Sequence, residues 1–283
     1  RRFAHAIKQH VRSHLDWFHN WNPKLVQYVS PQVWASREGR AYQMAKDYDL
    51  LLSIFPFEQE WYARKVPQLP VEFVGHPMLE RYQGMGRPVA RAVSDAPLVL
   101  LLPGSRASEL TRHLPVMTAA LTLLRAQFPS LRARMVLPHD SLVQQAQSAG
   151  LPPDLELLQG SLPQSLMEAD LAIASTGTVT MECAYFGVPT VALYKTSWST
   201  YQIGKRIVTV KYLAMPNLLA QEELFPEFIQ DAATPENLAR AALELLRNSN
   251  RRHTIQTCLA DVVTSLGGPG ASRRAARAIV RLL

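Results

Sequence analysis

Short apolar runs alternate with amphipathic stretches along most of this chain. The runs have the length of strands, whereas the stretches between them repeat apolar residues every three to four positions. This alternation predicts parallel sheets with crossover helices. The predicted strands are KLVQYVS, DLLLSIF, VEFVG, LVLLL, ARMVLP, LELLQ, LAIAS and TVALYK, and the first helices between them are REGRAYQMAKDY and EQEWYARK.

One stretch interrupts the alternation. Residues 76–97 are rich in Gly and Pro and lack regular spacing of apolar residues, so they are predicted to form a linker. The strand and helix pattern restarts at Leu98. The predicted fold class is therefore α/β, with two Rossmann-like, doubly wound domains joined near residue 90. Ligands of such domains bind at the carboxyl ends of the strands.

The composition is that of a globular protein. The 283 residues are 47% hydrophobic and 19% charged, enough to bury one large core or two moderate ones. A formal net charge of +7 favours anionic partners, which leaves nucleic acid, a membrane surface and a phosphorylated small molecule open. The chain carries no recognised nucleic-acid motif, which ranks that partner last.

The cysteines and the N-terminal segment point to the cytoplasm. Cys183 and Cys258, the two cysteines, both fall in helical patterns and are predicted to be free thiols. The opening segment RRFAHAIKQH has no apolar signal core, and no apolar run reaches transmembrane length. Because the sequence starts without Met inside a helical pattern, the natural protein is expected to extend further N-terminally.

The stretch LLPGSRASEL contains the first candidate binding loop. A buried strand ends at Pro103, and a helix opens just after Arg106. Backbone N–H groups at such a corner, together with a cation, can hold a phosphate. An ordinary turn with a surface Arg explains the stretch equally well, since the full glycine pattern of a nucleotide fingerprint is missing.

A second loop follows the strand LAIAS. It contains Ser175, Thr176, Gly177 and Thr178, and Glu182 lies in the second turn of the next helix. The loop could bind an anion, and the carboxylate could accept from both hydroxyls of a ribose. The alternative is capping, with Thr178 as N-cap and Glu182 as a solvated acid. Two such loops in one half of the chain favour a shared nucleotide site.

Other polar residues have weaker interpretations. Asn217 follows a Pro in MPNLLA, where its amide can bind a ligand or start a turn. The acid pair in Asp47-Tyr48-Asp49 lies at a helix end without a donor loop, which argues against a metal site. Four histidines lie near the start, but of these only His10 and His14 share a helix face. They are His5, His10, His14 and His19. His76 is expected to be a hydrogen-bonded turn residue or a substrate contact.

Seven short motifs occur in the order found in lipid-A-disaccharide synthases, a family of two-domain GT-B glycosyltransferases. The chain resembles this family over most of its length. The motifs are YVSPQVWASR, FPFE, FVGHPMLE, LLPGSRASE, ASTGTVTMECA, MPNLLA and FPEFIQ. Each motif alone is weak, and the ordered combination is specific.

The resemblance implies an activity and a set of substrates. It implies transfer of 2,3-diacylglucosamine from its UDP derivative to 2,3-diacylglucosamine 1-phosphate, which forms the β-1,6-linked lipid A disaccharide and releases UDP without a metal or cofactor. It further implies a cytoplasmic enzyme at the inner membrane that forms a homodimer and does not bind nucleic acid. The alternatives are another UDP-sugar GT-B enzyme, a UDP-sugar-binding module without catalysis and, last, a nucleic-acid-binding protein.

The resemblance also assigns residues and domains. The implied UDP-sugar site consists of Gly104, Ser105, Arg106, Ser175, Thr176, Gly177, Thr178, Glu182 and Asn217, and the implied acceptor side of Ser30, Pro31 and Trp34. Residues 1–90 correspond to the remainder of the acceptor-side domain with the linker, 91–265 to the UDP-sugar-binding domain and 266–283 to a C-terminal helix that crosses back.

The chain departs from the family pattern in two places. The family's glycine-rich acidic motif and its candidate general-base Asp have no counterpart here, so the base is expected upstream of Arg1 and no catalytic residue is assigned. Ser36 stands where an aromatic residue is common, which puts the acceptor contacts near Trp34 in question.

Two basic segments have competing interpretations. The first mixes aromatic and cationic residues and suits either a lipid interface or a charged helix surface; it includes Trp198, Tyr201, Lys205, Arg206, Lys211 and Tyr212. The second, ASRRAARAIVRLL, predicts an amphipathic helix. Its arginines are Arg273, Arg274, Arg277 and Arg281, and its apolar side is Ala275, Ala276, Ile279, Val280, Leu282 and Leu283. Small alanines and the lack of an aromatic anchor favour docking on the first domain or a second subunit over a membrane.

Overall fold

The structure is a computed structural model that describes residues 2–14, 21–86 and 93–283. These residues form two compact units. The first contains the described residues up to Met85, with Ile207–Thr209 and Thr264–Leu283, and the second contains the remaining residues between Gly86 and Val263. His19 lies outside the described residues.

The described part of the first unit has a three-stranded parallel sheet in the order β1-β2-β3. The central strand, LLLS, is buried along its whole length, which explains its continuous apolar sequence. The strands are β1 (Val26–Tyr28), β2 (Leu50–Ser53) and β3 (Val71–Phe73), and the helices are α1 (Arg2–His14), α2 (Arg40–Asp47), α3 (Pro56–Lys65), α4 (Met78–Arg81) and α13 (Ala271–Leu282).

Helix α13 returns to this sheet, as the family resemblance implies. Ala275 and Ala278 pack against Leu50, Leu52 and Val74 in one apolar cluster. Small side chains let the helix approach the strands closely. The side of the helix that carries Ala275 and Ala278 is therefore covered by the same chain.

Polar contacts fix both ends of α13. The Arg274 guanidinium donates to the carbonyls of Val74 (2.7 Å) and Gly268 (2.7 Å). Arg281 forms two bonds to the Glu72 carboxylate, at 2.6 and 2.7 Å. Arg274 also lies where a β-carbon at position 75 would project, so Gly75 (φ +85°) is required both by its backbone and by this packing.

The second unit, within the described ranges, has a six-stranded sheet in the order β6-β5-β4-β7-β8-β9, all parallel. This is the doubly wound arrangement that the sequence pattern predicts. The strands are β4 (Leu98–Leu102), β5 (Arg132–Leu137), β6 (Leu155–Gln159), β7 (Leu171–Ser175), β8 (Thr190–Tyr194) and β9 (Glu227–Ile229).

Helices flank this sheet, and β4 and β7 at its centre are buried along their whole length. The Asp170 carboxylate accepts from the Leu98 N–H (2.9 Å) and joins the starts of the two central strands. The helices are α5 (Ala107–Gln127), α6 (Asp140–Ser148), α7 (Leu162–Glu168), α8 (Thr178–Tyr185), α9 (Trp198–Ile207), α10 (Met215–Ala220), α11 (Pro235–Arg247) and α12 (Ser249–Ser265).

The structure adds three short elements that the sequence pattern did not predict. The stretch predicted as linker contains the short helix α4, whose N-cap is Pro77. MPNLLA is helical from Met215 because Pro216 occupies the first turn, where its missing N–H costs nothing. The motif FPEFIQ contains an edge strand, β9. This strand is only 3 residues long, too short for a recognisable hydrophobic pattern.

The buried face of α13 is only partly the predicted one: Ala275, Ile279 and Leu282 pack on the sheet as expected, together with Ala278. Ala275 and Ala278 are buried, whereas Ala276 is exposed and Val280 and Leu283 are 70% and 89% exposed. The positions of the arginines did not identify the solvent-exposed face of the helix. Arg274 lies at the edge of the contact with the sheet, where its guanidinium donates to the Val74 carbonyl.

We expect Ala278→Glu to lower the free energy of unfolding by about 3 kcal/mol, because it places a carboxylate among apolar side chains without a partner. Ala276→Glu is the matched control, since the same change at an exposed position of the same helix should have almost no effect. Chemical denaturation of both variants measures the difference. Equal losses would mean that α13 does not depend on this face.

Candidate functional site

The two candidate loops start from neighbouring strands. β4 and β7 pair in parallel, with Leu102 opposite Ala174. The loops that follow, 103–106 and 176–177, therefore leave the same edge of the sheet, and each leads into a helix, α5 or α8. Two helix N-termini at one sheet edge present unpaired backbone N–H groups and positive dipole ends. This arrangement suits an anionic ligand.

The first loop is shaped by Glu109. Its carboxylate accepts from the Ser105 N–H (3.0 Å) and pairs with the Arg106 guanidinium (2.7 Å). A β-carbon at position 104 would collide with this carboxylate, so Gly104, with φ +119°, lets the backbone pass. The Arg106 side chain remains 76% exposed and keeps further N–H donors for a ligand.

Sequence reasoning missed Glu109, although a signal was present. Arg106 is the N-cap of α5, and Glu109 is the third helical residue, the position from which an acid reaches back to the helix start.

The second loop is held by backbone contacts. Ser175 ends β7 as a buried residue, and the Thr176 N–H donates to the Leu193 carbonyl (3.0 Å). Gly177 (φ +147°) is the N-cap of α8, and the Thr180 hydroxyl donates to its carbonyl (2.6 Å). The alternative with Thr178 as N-cap is wrong, because Thr178 is the first helical residue.

Thr178 and Gly177 are exposed at the start of α8, and Glu182 lies half-buried in the second turn. Glu182 is beyond the first turn, which weakens its interpretation as an acid that stabilises the helix start. The hydroxyl-bearing loop and the Glu182 carboxylate therefore lie at successive turns of the same helix, α8.

Asn217 has a different environment from the one expected of a ligand contact. It is fully buried, and its amide donates to the Phe225 carbonyl (2.7 Å) and to Glu227 (2.8 Å) while accepting from the Phe225 N–H (2.8 Å). Both amide hydrogens are used inside the protein. Asn217 therefore shapes the loop between α10 and β9, and a direct contact with the nucleotide sugar is not supported by its hydrogen bonds.

Glu227 fixes the segment before α10, and sequence reasoning also missed it. Its carboxylate accepts from the N–H groups of Leu213 (2.8 Å) and Ala214 (3.0 Å), just before α10. Burial raises the pKa of Glu227, against the effect of these donors. The only sequence signal is the acid in FPEFIQ, which had no recognisable partner.

In the first unit, the residues assigned to the acceptor side surround a buried carboxyl. Trp34 is buried and its Nε1–H donates to Glu58 (2.9 Å), which also accepts from the Phe55 N–H (3.2 Å). Burial raises the pKa of Glu58. The buried Ser30 hydroxyl donates to the Tyr62 hydroxyl (3.0 Å), whereas Pro31 is exposed. The buried Ser30 and Trp34 thus hold in place the chain segment in which Pro31 is exposed.

The acid pair near the end of α2 anchors α1. Asp47 bonds to His5 (2.9 Å), and Asp49 accepts from Lys8 (2.7 Å) and from the Leu25 N–H (2.7 Å). Among the described residues, no group of three or more His, Cys, Asp or Glu side chains could hold a metal ion.

His10, His14 and His76 have structural contacts. His10 and His14 stack with ring centroids 4.1 Å apart, which confirms that they share a face. His76 accepts from the Met78 N–H (3.2 Å), as expected of a turn residue, and burial lowers the pKa of His76 to about 4.

The cysteines are free, as predicted. Burial raises the pKa of the Cys183 thiol to about 12, which makes it a poor nucleophile. In the part of the chain that the structure describes, every helix is too short or too polar to cross a bilayer.

Solved structures with the same architecture are distant in sequence. The S. aureus MnaA–UDP structure matches with a TM-score of 0.59 and 11% identity over 99% of this chain and 79% of that one. Spinosyn rhamnosyltransferase SpnG complexed with thymidine diphosphate matches with a TM-score of 0.55 and 16% identity, over 98% of this chain and 80% of that one. These similarities establish the fold, which is GT-B.

Sequence relatives are much closer. Lipid-A-disaccharide synthase of Alkalilimnicola ehrlichii is 36% identical over 270 residues, which are 90% of this chain and 69% of that protein. The enzyme of the same name from Pseudomonas savastanoi pv. phaseolicola is 38% identical over 271 residues, 92% of this chain and 69% of that protein. The family profile described as lipid-A-disaccharide synthetase matches residues 6–281. The chain therefore belongs to the lipid-A-disaccharide synthetase family and is a GT-B glycosyltransferase of lipid A disaccharide synthesis.

Proposed function

We propose that the donor is UDP-2,3-diacylglucosamine and the acceptor 2,3-diacylglucosamine 1-phosphate, which the enzyme joins into the β-1,6-linked disaccharide with release of UDP. Family membership supports the reaction class. The observation that carries the donor assignment is the pairing of β4 with β7, which brings an Arg-bearing loop and a hydroxyl-bearing loop to one edge of the sheet.

In this proposal the two loops hold the diphosphate. Ser105 and Arg106 start α5, and Gly177 and Thr178 start α8, so two helix N-termini and one guanidinium face the same anion. When the sugar–phosphate bond breaks, negative charge grows on the departing UDP. Fixed N–H donors and a cation lower the barrier because their orientation does not need to change during the reaction.

The proposal places the ribose at Glu182. A carboxylate can accept from both hydroxyls of a ribose, and the second turn of α8 lies just beyond the proposed diphosphate site. Here Asn217 fixes the loop between α10 and β9 and Glu227 fixes the segment before α10, since their polar atoms already have partners in the protein.

The acceptor is proposed to meet the segment around Pro31 in the first unit. Trp34 and Glu58 hold this segment from below through a buried hydrogen bond. An inverting transfer also needs a base for the attacking hydroxyl. Among the residues that the structure describes, we assign no side chain to this role.

Both proposed substrates are acylated, so we also propose that the enzyme works at the cytoplasmic surface of the inner membrane. Helix α9 supports this proposal. Its Trp198 and Ile203 side chains are 75% and 58% exposed, and Lys205 and Arg206 in its last turn are exposed as well. An exposed indole beside basic residues suits an anionic lipid surface.

We expect UDP to bind this chain in the presence of a chelator, and Arg106→Ala to weaken binding roughly 10- to 100-fold, because a charge-assisted contact is worth about 1.5–3 kcal/mol. Isothermal titration calorimetry measures both. Arg132→Ala is the matched control, since Arg132 is exposed at the amino end of β5, at the opposite end of the strands. Unchanged affinity in Arg106→Ala would remove Arg106 from the site.

The role of Glu182 can be separated from helix stability with two ligands. We expect Glu182→Gln to weaken UDP several-fold, because the neutral amide is a poorer acceptor for the ribose hydroxyls. Binding of 2′,3′-dideoxy-UDP should be almost unaffected, since this ligand lacks those hydroxyls. Equal losses for the two ligands would show that Glu182 does not contact the ribose.

Membrane binding is tested with vesicles of phosphatidylethanolamine and phosphatidylglycerol. We expect Trp198→Ser to reduce cosedimentation several-fold and the residual binding to fall with added salt, because the indole and the basic residues act together. Leu123→Ser is the control at an exposed apolar residue of α5. Equal effects of the two substitutions would argue against α9 as the lipid contact.

A further inference from the structure

His113 is a fully buried imidazole directly behind the first loop. It lies in the second turn of α5 and is 0% exposed. Its Nδ1 is 2.6 Å from the Pro103 carbonyl oxygen, and its Nε2 is 3.0 Å from the Lys195 backbone nitrogen. Pro103 immediately precedes the Gly104–Arg106 segment, and Lys195 immediately follows β8.

The two partners determine the protonation state of the ring. A carbonyl oxygen can only accept, so Nδ1 carries the hydrogen, and the Lys195 N–H can only donate, so Nε2 is bare. A protonated ring would direct an Nε2–H at the Lys195 N–H and lose that bond. Burial lowers the pKa of His113, in agreement with a neutral ring.

The imidazole links strands that are not neighbours. In the sheet, β7 lies between β4 and β8. One ring therefore joins the ends of the two strands that flank β7, whose own end carries the Ser175–Thr178 segment. The position of the first loop is thus tied to the strand on the far side of the second loop.

The Lys195 end of this link is itself fixed. The Gln230 side chain accepts from the Thr196 N–H (2.6 Å) and donates to the Thr196 carbonyl (3.2 Å). The Lys195 ammonium donates to the carbonyl of Gln230 (3.1 Å). Because several hydrogen bonds hold this segment in place, the Lys195 N–H offers the ring a fixed hydrogen-bond donor.

We propose that His113 is a positioning residue for the diphosphate, which it serves by fixing Pro103 and hence the path of the Gly104–Arg106 segment and the direction of the Arg106 guanidinium. The inference rests on the proposed donor site. The charged groups that act on the ring are Glu109 and Arg112 on its own helix, whereas Lys195 contributes its backbone N–H, and the Tyr194 ring lies 6.3 Å away between centroids. The ring itself does not touch the ligand.

Three substitutions separate the two bonds. His113→Asn can place an amide N–H near the position of Nδ1 and keep the Pro103 bond, His113→Gln can place an amide oxygen near Nε2 and keep the Lys195 bond, and His113→Ala keeps neither. We expect Kd for UDP to rise about tenfold in the Ala and Gln variants, which corresponds to one lost positioning contact, and less than threefold in the Asn variant. Calorimetry is done well below the melting temperature, so that loss of stability alone does not change Kd.

A purely structural role predicts lower melting temperatures with unchanged Kd, and that result would overturn the proposal. So would an Asn variant that binds UDP as weakly as the Ala variant. ¹⁵N spectra of the His113 ring in the unsubstituted chain provide a second readout, which is independent of whether the variants fold. We expect the Nδ1–H tautomer, with ring shifts that move on UDP titration; shifts that stay constant at saturation would overturn the proposal.

The same titrations distinguish this inference from the function on which it rests. Absence of UDP binding by the unsubstituted chain would overturn both. UDP binding that depends on Arg106 and is insensitive to all three His113 substitutions would overturn the positioning role alone.

Discussion

Parallel pairing of β4 with β7 is the constraint on which the donor half depends. Both strands are buried on both faces, so their sequences are almost continuously apolar, and their carboxyl ends must reach the same edge of the sheet. The polar residues that follow each strand, Arg106 and the Ser175–Thr178 segment, are thereby brought together although about 70 residues separate them in sequence. A slip of this pairing by one residue would move one loop relative to the other and reverse the faces of a whole strand.

The loops of this unit are fixed by half-buried side chains that bind backbone groups. Glu109 holds the Ser105 N–H, Glu227 holds two N–H groups before α10, and Gln230 holds both backbone groups of Thr196. Each of these side chains satisfies donors or acceptors that the sheet does not reach. Removing Glu227 or Gln230 would leave partly buried backbone groups without partners, which costs more than the bond contributes. Loops built in this way can carry ligand groups without large rearrangement on binding.

The sequence was sufficient for the architecture and for the two loops, because hydrophobic periodicity and strand-ending Gly and Pro are local signals. It was insufficient for the residues that hold the loops. Glu109 was detectable from its position at the start of α5, but the partners of Asn217 and His113 depend on tertiary contacts that no spacing rule encodes. Asn217 illustrates the limit: its place in a family motif is compatible with ligand contact, and only the bonds to Phe225 reveal that its amide is already used. Part of the buried face of α13 was misassigned for the same reason, since Arg274 contributes to a contact that a charged side chain was not expected to make.

The pairing of Arg106 with Glu109 has a consequence for catalysis under the proposed function. A free guanidinium would bind the diphosphate of substrate and product with its full charge, and tight product binding slows turnover without lowering the chemical barrier. Glu109 offsets part of that charge and also holds the guanidinium in one direction, so less rotational freedom is lost when the phosphate arrives. The remaining attraction then comes from oriented N–H groups at α5 and α8, whose contribution grows as charge develops on the departing oxygen. A neutral His113 is consistent with this balance, because an imidazolium behind the loop would add a permanent positive charge that attracts the substrate, the transition state and the released UDP alike.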